Sequence, residues 1–329
     1  MIWLQFLLSS ALIVFAATQL AKYGDVIALR TRMGGMFVGI LLLAGATSLP
    51  ELLTTISSIR QGVPNLAAGN LLGSNMFNMF MLAILDLLHR RERLLRKAAL
   101  KFALSGSLAV FLIGLVVFLA LANIEITIGW VGADSLAILL AYILAIRLIQ
   151  TNQSHPGLKA EEIYIPASTP SLGRGVLGFF LAGAVLVAIT PLMVSSSAEI
   201  AEITGLGDSF IGTTLVAIVT SLPELVTTIT AARMGADDMA IGNLFGSNLF
   251  NMFALGLTDV FYLPSRFLGI IDPALLIVGM LGLLMTGMGL IGNLARLERR
   301  VLFVELDALA LLLTYFGGLW LLYIKGVAP

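Results

Sequence analysis

Cysteine is absent from the 329 residues of this chain, and histidine occurs only at His89 and His155. The lack of cysteine excludes disulfide bonds, thiolate metal sites and cysteine nucleophiles. Both histidines fall in predicted loops, where a solvated imidazole is more common than a functional one. No predicted helix carries a histidine, a cysteine or a nucleophile paired with a base, so an enzyme active site is not expected.

Charged residues are also scarce, at 12% of the chain with no net charge, whereas 59% of the residues are hydrophobic and the mean hydropathy is +1.01. This composition is typical of a polytopic membrane protein rather than of the two soluble domains that the length would otherwise suggest. Ten apolar segments of about 18 residues or more are each long enough to cross the hydrocarbon core of a bilayer. The predicted membrane helices cover residues 3–27, 34–60, 65–88, 99–122, 126–149, 173–203, 209–233, 239–262, 272–294 and 302–324.

The basic residues predict the orientation of these helices. Sixteen of the nineteen lysines and arginines lie in or beside the loops that follow predicted helices 1, 3, 5, 7 and 9, and the other three are Arg60, Arg266 and Lys325. Under the positive-inside rule these loops are cytoplasmic and both termini are extracellular, in an integral protein of the plasma (inner) membrane. The basic run at residues 89–101 is interpreted as an anchor on anionic lipid, not as a nucleic-acid site.

The chain contains an internal repeat. Residues 37–80 and 210–253 agree at 26 of 44 positions, and all matched pairs have the same spacing, so no insertion separates the two copies. Because each half has five predicted helices, the second copy would enter the membrane the opposite way up. We therefore predict an all-α fold of ten transmembrane helices in two inverted five-helix repeats. The repeats are residues 1–150 and 172–329, joined by a cytoplasmic linker at 151–171 that is too short for a regulatory domain.

The centre of each copy is the sequence Thr-Ser-Leu-Pro-Glu, at residues 47–51 and 220–224. Proline lacks a backbone donor and its ring clashes with the preceding turn, so Pro50 and Pro223 predict breaks in helices 2 and 7. A membrane tolerates such breaks only where other groups satisfy the freed backbone. The motif also fits a capping box, in which the serine and the glutamate of each copy would close the start of a helix.

The two glutamates of the motif predict a cation site. A carboxylate near the bilayer centre costs at least about 2.5 kcal/mol on insertion scales, so Glu51 and Glu224 should face partners. No basic residue lies deep in a predicted helix, and oxygen-rich sites suit hard cations such as calcium. The broken helices would add hydroxyl and carbonyl oxygens from Thr47, Ser48, Thr220, Ser221, Ala44 and Ala217. Helices 3 and 8 each carry a polar pair spaced i, i+4 on one face: Ser74 with Asn78, and Ser247 with Asn251.

Other acidic residues are interpreted structurally. Asp86 and Asp259 also occupy matching positions of the two halves, but they lie near helix ends, where burial at an interface explains them better than ion binding does. Asp134 is predicted at the outer interface. Glu199 and Glu202, near the outer end of helix 6, could line an ion entrance or form an exposed helix end. The repeated glycines are expected to allow close contact between helices.

Thr-Ser-x-Pro-Glu with Gly-Asn-x-x-Gly-Ser-Asn-x-x-Asn, present twice, resembles the two alpha-repeats of the sodium/calcium exchanger family, within the cation/calcium antiporter superfamily. The resemblance implies a prokaryotic-type antiporter in which Glu51 and Glu224 bind calcium and the same oxygens, with carbonyls and hydroxyls, bind sodium. It also implies that helices 1 and 6 slide across the other eight. The ligands that it implies are Ala44, Thr47, Ser48, Glu51, Ser74, Asn78, Ala217, Thr220, Ser221, Glu224, Ser247 and Asn251.

One position departs from the family pattern. Many sodium-coupled members have asparagine in the first repeat and aspartate in the second, whereas this chain has Asn78 and Asn251. The site then has two formal negative charges instead of three, which leaves the number of sodium ions per calcium open. In the proton-coupled branch Gly-Asn replaces Thr-Ser beside the acidic residue, so the Thr-Ser of this chain favours sodium.

Three transport functions fit these observations. A sodium/calcium antiporter is favoured, and a proton- or other cation-coupled calcium antiporter and a cation channel are the alternatives. A channel usually has a continuous pore and symmetry between subunits, whereas this chain has its own internal repeat. The predicted partners are calcium ions, sodium ions and the lipid bilayer; no cofactor, nucleic acid or obligatory protein partner is expected, and the protein is predicted to be a monomer.

Overall fold

The structure of the protein, a computed structural model, is largely helical. It describes residues 1–31, 44–88, 99–153, 169–233, 237–295, 300–301 and 304–327. The helices of the first half are α1 (Ile2–Thr31), α2 (Leu49–Arg60), α3 (Pro64–Leu88), α4 (Ala99–Ala122) and α5 (Ala133–Gln153). Those of the second half are α6 (Leu172–Thr204), α7 (Gly207–Ile211), α8 (Ala217–Thr220), α9 (Leu222–Arg233), α10 (Asp237–Phe261), α11 (Pro273–Ala295) and α12 (Leu306–Val327).

Short elements connect the helices. A π-helical turn (Gly212–Val216) joins α7 to α8, and a 3-10 turn (Leu268–Ile270) precedes α11. Two antiparallel hairpins complete the described elements: β1 (Thr127–Ile128) with β2 (Val131–Gly132), and β3 (Arg300–Val301) with β4 (Val304–Glu305).

Among the described residues, seven helices are long and apolar enough to cross a membrane: α1, α3, α4, α5, α6, α11 and α12. The bent segment from α7 to α9 makes an eighth span if it is counted as one. Large apolar side chains such as Phe118, Phe180 and Trp320 are exposed on these helices, which is characteristic of a surface that contacts a membrane. The predicted number of ten spans includes residues 34–43 of helix 2, which lie outside the described residues, and ten stays a prediction.

Both predicted helix breaks are present. α8 ends at Thr220, α9 begins at Leu222, and the two segments meet at an angle of 41°. In the first half a turn at Ser48 separates helical residues 44–47 from α2. The motif proline is then the second residue of the new helix in each half, where its missing N–H costs little.

The predicted start of helix 5 is wrong. Residues 127–132 form the β1–β2 hairpin, and α5 begins only at Ala133. The two turn residues are Gly129 and Trp130, and Gly129 has a φ of +68°, a conformation that favours glycine at the first position of a tight hairpin turn. β-branched residues at 126–128 also favour extended backbone over helix.

Two hydrophobic cores surround the broken helices. The smaller core joins α1 to α6 and includes Ile13 and Leu186. The larger core joins α3, α4, α10, α11 and α12 and includes Leu112 and Phe245. Residues of the broken segments contribute to both, because Val219 belongs to the smaller core whereas its neighbour Ile218 packs against the larger one. The motif is therefore held between the two cores.

Glycines of α3 allow its backbone to touch the second broken helix, as predicted. A Cβ on Gly73 would lie 2.5 Å from the carbonyl oxygen of Thr213 and 2.9 Å from the Cβ of Ala217. One turn earlier, a Cβ on Gly69 would lie 3.0 Å from the carbonyl oxygen of Ser209. Only a residue without a side chain fits at the closer of these contacts.

We expect Gly73→Ala to destabilise the protein, because the added methyl group would press on backbone atoms that cannot rotate away. Overpacking of this kind typically costs about 1–3 kcal/mol. Gly287→Ala is the matched control, since a Cβ on Gly287 would meet no atom of the described residues within 4 Å. Thermal unfolding of the purified protein in detergent should show a lower midpoint for Gly73→Ala than for Gly287→Ala; equal midpoints would contradict the close packing.

Candidate cation site

Glu51 and Glu224 lie at equivalent places in the two halves, as the third residues of α2 and α9. Both side chains are buried, with at most 1% of their surface exposed. Each carboxylate accepts a hydrogen bond from the motif serine of the other half. Ser48 Oγ lies 2.8 Å from Glu224 Oε1, and Ser221 Oγ lies 3.0 Å from Glu51 Oε1. The two broken helices are thus joined to each other through their carboxylates.

This pairing excludes the capping box as the reason for Ser48, the motif serine that precedes α2. Ser48 stands at the N-cap of α2 but makes no side-chain capping hydrogen bond. Its hydroxyl donates across to the other half instead, which also brings it 3.0 Å from Ser247 Oγ. Ser247 Oγ lies in turn 3.4 Å from Glu224 Oε1. Three predicted residues therefore meet at one point.

The motif asparagines Asn70 and Asn243, which the sequence did not single out as site residues, support the broken helices. Thr220 Oγ1 donates to Asn70 Oδ1 over 2.9 Å, and Asn70 Nδ2 donates to the carbonyl oxygen of Glu51 over 3.1 Å. At the equivalent place, Thr47 Oγ1 lies 3.4 Å from Asn243 Oδ1. The repeated Gly-Asn pair was the available signal for these two residues.

A second pair of asparagines orients the predicted amide ligands. Asn78 Nδ2 donates to Asn248 Oδ1 over 2.9 Å, and Asn251 Nδ2 donates to Asn75 Oδ1 over 3.0 Å. Both bonds join α3 to α10. In each predicted ligand the NH2 group is used by the partner, so the amide oxygen is left to face another group. Sequence reasoning missed Asn75 and Asn248, because their role depends on the contact between the two helices.

Several buried acceptors at the site have no hydrogen-bond partner among the described residues: Glu51 Oε2, Glu224 Oε2, Asn78 Oδ1, Asn251 Oδ1 and Ser74 Oγ. A buried acceptor without a partner carries a substantial desolvation cost. A basic side chain does not supply the partner, since the ion pair found in the described ranges joins Arg266 to Asp134. These orphaned oxygens fit a hard cation as substrate.

All twelve predicted site residues lie within the described residues and are at most 2% exposed. The carbonyl oxygens of Ala44 and Ala217 accept from the backbone N–H groups of Ser48 and Ser221, over 2.9 and 3.1 Å, and lie 3.2 Å from Thr47 Oγ1 and 3.3 Å from Thr220 Oγ1. An ion bound there would share each carbonyl with a backbone hydrogen bond. Within the described ranges no cluster of three or more acidic, histidine or cysteine side chains could hold a metal. A bound cation would thus depend on two carboxylates and neutral oxygens, and the ligand role of the twelve residues stays a prediction.

The other acidic residues have different environments. Asp259 is fully buried, and its two oxygens accept from the backbone N–H groups of Gly132 and Phe267, each over 2.6 Å, which confirms its structural interpretation. Asp134 is also buried and lies 2.5 Å from Arg266.

Glu199 and Glu202 are exposed and line an open cavity of about 900 Å³ together with Val63 and Asp208. The exposed helix end that the sequence suggested is therefore present, and a role of these residues as an ion entrance stays a prediction.

Comparison with known proteins identifies the family of the chain. Residues 1–149 and 174–324 match the family model described as sodium/calcium exchanger protein. CaxA of Alkalimonas amylolytica is 28% identical over 339 residues, which cover 96% of this chain and 97% of CaxA. The sodium/calcium exchanger MaX1 of Methanosarcina acetivorans is 46% identical over 90 residues, which are 27% of this chain and 26% of MaX1.

Solved structures share the fold. The H+/Ca2+ exchanger CAX superposes with a TM-score of 0.73 at 15% identity, over 99% of this chain and 85% of CAX. The sodium-calcium exchanger NCX_Mj superposes with a TM-score of 0.57 at 23% identity, over 96% of this chain and 97% of NCX_Mj.

We expect Glu51→Gln and Glu224→Gln each to abolish calcium binding, because each removes one of only two carboxylates while keeping the size of the side chain. Equilibrium binding of calcium-45 to the purified protein measures this directly. Glu199→Gln, the same change at an exposed residue, is the control and should bind normally. Normal binding by either of the buried variants would remove that residue from the site.

Proposed function

Because the chain belongs to the sodium/calcium exchanger protein family, a family of cation/calcium antiporters, we propose that it exchanges sodium for calcium across a membrane by alternating access. One observation carries the proposal. Two buried carboxylates, one from each half, each have one oxygen held by a serine of the other half and one oxygen without a hydrogen-bond partner in the described part of the chain. An ion between them would bind both halves at once.

The packing of α1 and α6 supports alternating access. The hydrogen bonds of the site join α2, α3, α8, α9 and α10, together with residues 44–48. The α1–α6 pair packs against this assembly through apolar residues such as Ala46, Val216 and Val219, and an exposed hydrogen bond joins Gln61 Nε2, after α2, to the carbonyl oxygen of Pro191. Apolar contacts are non-directional, so such a pair can slide past the site at a smaller cost than breaking polar bonds. In this proposal the pair moves and the assembly around the ion stays fixed.

The threonine and serine beside each glutamate support sodium as the counter-ion. Their hydroxyl groups and the carbonyls of Ala44 and Ala217 are neutral oxygens, which complement the charge of a monovalent cation without adding to it. Proton coupling is the second candidate function, because two buried carboxylates could each carry a proton in place of the ion.

The same proposal includes the topology and location of the protein: inverted halves, extracellular termini, a plasma-membrane location and a monomeric state. The hydrogen bonds that recur at matching positions of the two halves support the two-fold relation.

The test is calcium-45 uptake into proteoliposomes that hold sodium, potassium or an acidic buffer inside. We expect an outward sodium gradient to drive uptake, and potassium and proton gradients to leave it at the level of liposomes that contain Glu51→Gln. Uptake driven equally well by the proton gradient would replace sodium with protons in the proposal. Uptake that is insensitive to all three gradients would argue for a channel.

The double asparagine predicts electroneutral exchange. Two glutamates contribute a charge of −2, so one calcium or two sodium ions bring the site to 0, whereas three sodium ions leave +1. An uncompensated buried charge costs several kcal/mol, which disfavours the third sodium ion. We therefore expect two sodium ions to exchange for one calcium, and Asn251→Asp, which restores a third carboxylate, to steepen the dependence of transport on sodium concentration.

Calcium flux at several clamped membrane potentials measures this stoichiometry. For the unmodified protein, the ion gradients at which the net calcium flux reverses should be the same at every membrane potential. A reversal point that moves as expected for three sodium ions per calcium would refute the two-for-one exchange without affecting the antiporter assignment.

A further inference from the structure

Thr286 of α11 lies at the end of a chain of hydrogen bonds that leads to a predicted ligand. Its hydroxyl donates to the carbonyl oxygen of Gly282 over 2.7 Å, and its oxygen accepts from Asn248 Nδ2 over 3.3 Å. Asn248 Oδ1 then accepts from Asn78 Nδ2. All three side chains are at most 1% exposed.

The direction of each bond in this chain is determined by the one before it. Because the hydroxyl hydrogen of Thr286 is used by Gly282, its oxygen can only accept, and Asn248 must therefore turn its NH2 group toward it. The amide oxygen of Asn248 is then directed at Asn78, which must donate a hydrogen bond from its own NH2 group. As a result Asn78 presents its oxygen, the end of an amide that can bind a cation, and that oxygen has no other partner in the described residues.

The first half lacks the corresponding hydroxyl group. The two motifs begin at residues 47 and 220, and the residue that precedes Thr286 by the same distance is Ile113 of α4, which is fully buried. The packing of α4 and α11 follows the same spacing: a Cβ on Gly106 would lie 3.4 Å from the ring of Phe245, and one on Gly279 would lie 3.7 Å from Leu72. These four residues form two matching pairs, 106 with 279 and 72 with 245.

The difference between Thr286 and Ile113 is accompanied by a difference in hydrogen bonding between the two halves. Asn75, the counterpart of Asn248, accepts from Asn251, but its own NH2 group is buried without a partner in the part of the chain that the structure describes. Nothing in the described contacts therefore opposes the reversal of the Asn75 amide. A reversed Asn75 would direct its NH2 group at Asn251, and Asn251 would then turn its own NH2 group toward the ion.

We propose that Thr286 is a positioning residue that holds the Asn78 amide oxygen toward the transported cation, and that the equivalent amide in the second half, Asn251, is held less firmly because Ile113 stands in place of a hydroxyl group. The two halves of the site are then unequal in how strongly they orient their neutral ligands. The proposal rests on the proposed function in one respect, that Asn78 is a ligand of the transported cation.

Thr286→Val keeps the shape of the side chain and removes the acceptor. We expect it to weaken calcium-45 binding by about three- to ten-fold, the effect of one net hydrogen bond, and to raise the KM for calcium in proteoliposomes with little change in the maximal rate. Thr286→Ser retains the hydroxyl group and should restore binding. Thr258→Val is the matched control, because Thr258 is a buried threonine of α10 whose hydroxyl donates, among the described residues, only to the carbonyl oxygen of Ala254 in its own helix.

Ile113→Thr tests the same inference in the opposite direction, by giving Asn75 the acceptor that it lacks. We expect this variant to bind calcium more tightly than the unmodified protein. Unchanged binding by Thr286→Val, a loss in Thr286→Ser equal to that in Thr286→Val, or unchanged or weaker binding by Ile113→Thr would each overturn the positioning role. Glu51→Gln separates this failure from that of the proposed function: if it too binds calcium normally, the site itself is wrong.

Discussion

The structure depends on two carboxylates that are buried between apolar helices without a basic partner in the described residues. A charge in such a place is tolerated only with compensating polar groups, and the surrounding chain is arranged to supply them. Each glutamate begins a helix at a break, where backbone and side-chain polar groups gather, and each receives the serine hydroxyl of the other half. The shorter serine bond to each glutamate comes from the other half, so the two halves meet at the site.

Close approach of the helices follows from the same requirement. Hydrogen bonds of about 3 Å between α3 and α10, and between α3 and the second broken helix, demand that the backbones come together, and Gly69 and Gly73 remove the side chains that would hold them apart. The asparagines then fill the interface with amides whose donors and acceptors are used in a definite order. Polar groups joined in such a chain of hydrogen bonds orient one another. Orientation matters for asparagine, because one end of its amide is an acceptor oxygen and the other end is a donor NH2 group.

The repeat makes the two halves alike, but the site is not fully symmetric. Ser247 contacts Ser48 and Glu224, whereas its counterpart Ser74 has no hydrogen-bond partner among the residues described. Thr286 and Ile113 differ in the same way at the periphery. Alternating access does not require equal halves, since an ion needs only enough oxygens around it. At Thr286 and Ile113 the asymmetry follows from different residues outside the motif, whereas Ser74 and Ser247 are identical residues with different contacts.

The sequence by itself determined the membrane class and the limits of several helices, because apolar runs must match the bilayer. It also nominated the twelve site residues, because a buried glutamate must have a partner, and their role as ligands stays a prediction. Predicted helices such as 99–122 and 173–203 agree with α4 and α6 to within one residue. Local propensity that hydropathy ignores produced the hairpin at 127–132. Only the tertiary structure decided which serine reaches which glutamate, and that Asn75, Asn248 and Thr286 join the hydrogen bonds around Asn78 and Asn251. Hydrogen bonds between helices depend on which faces meet, and that is a property of packing rather than of any one segment.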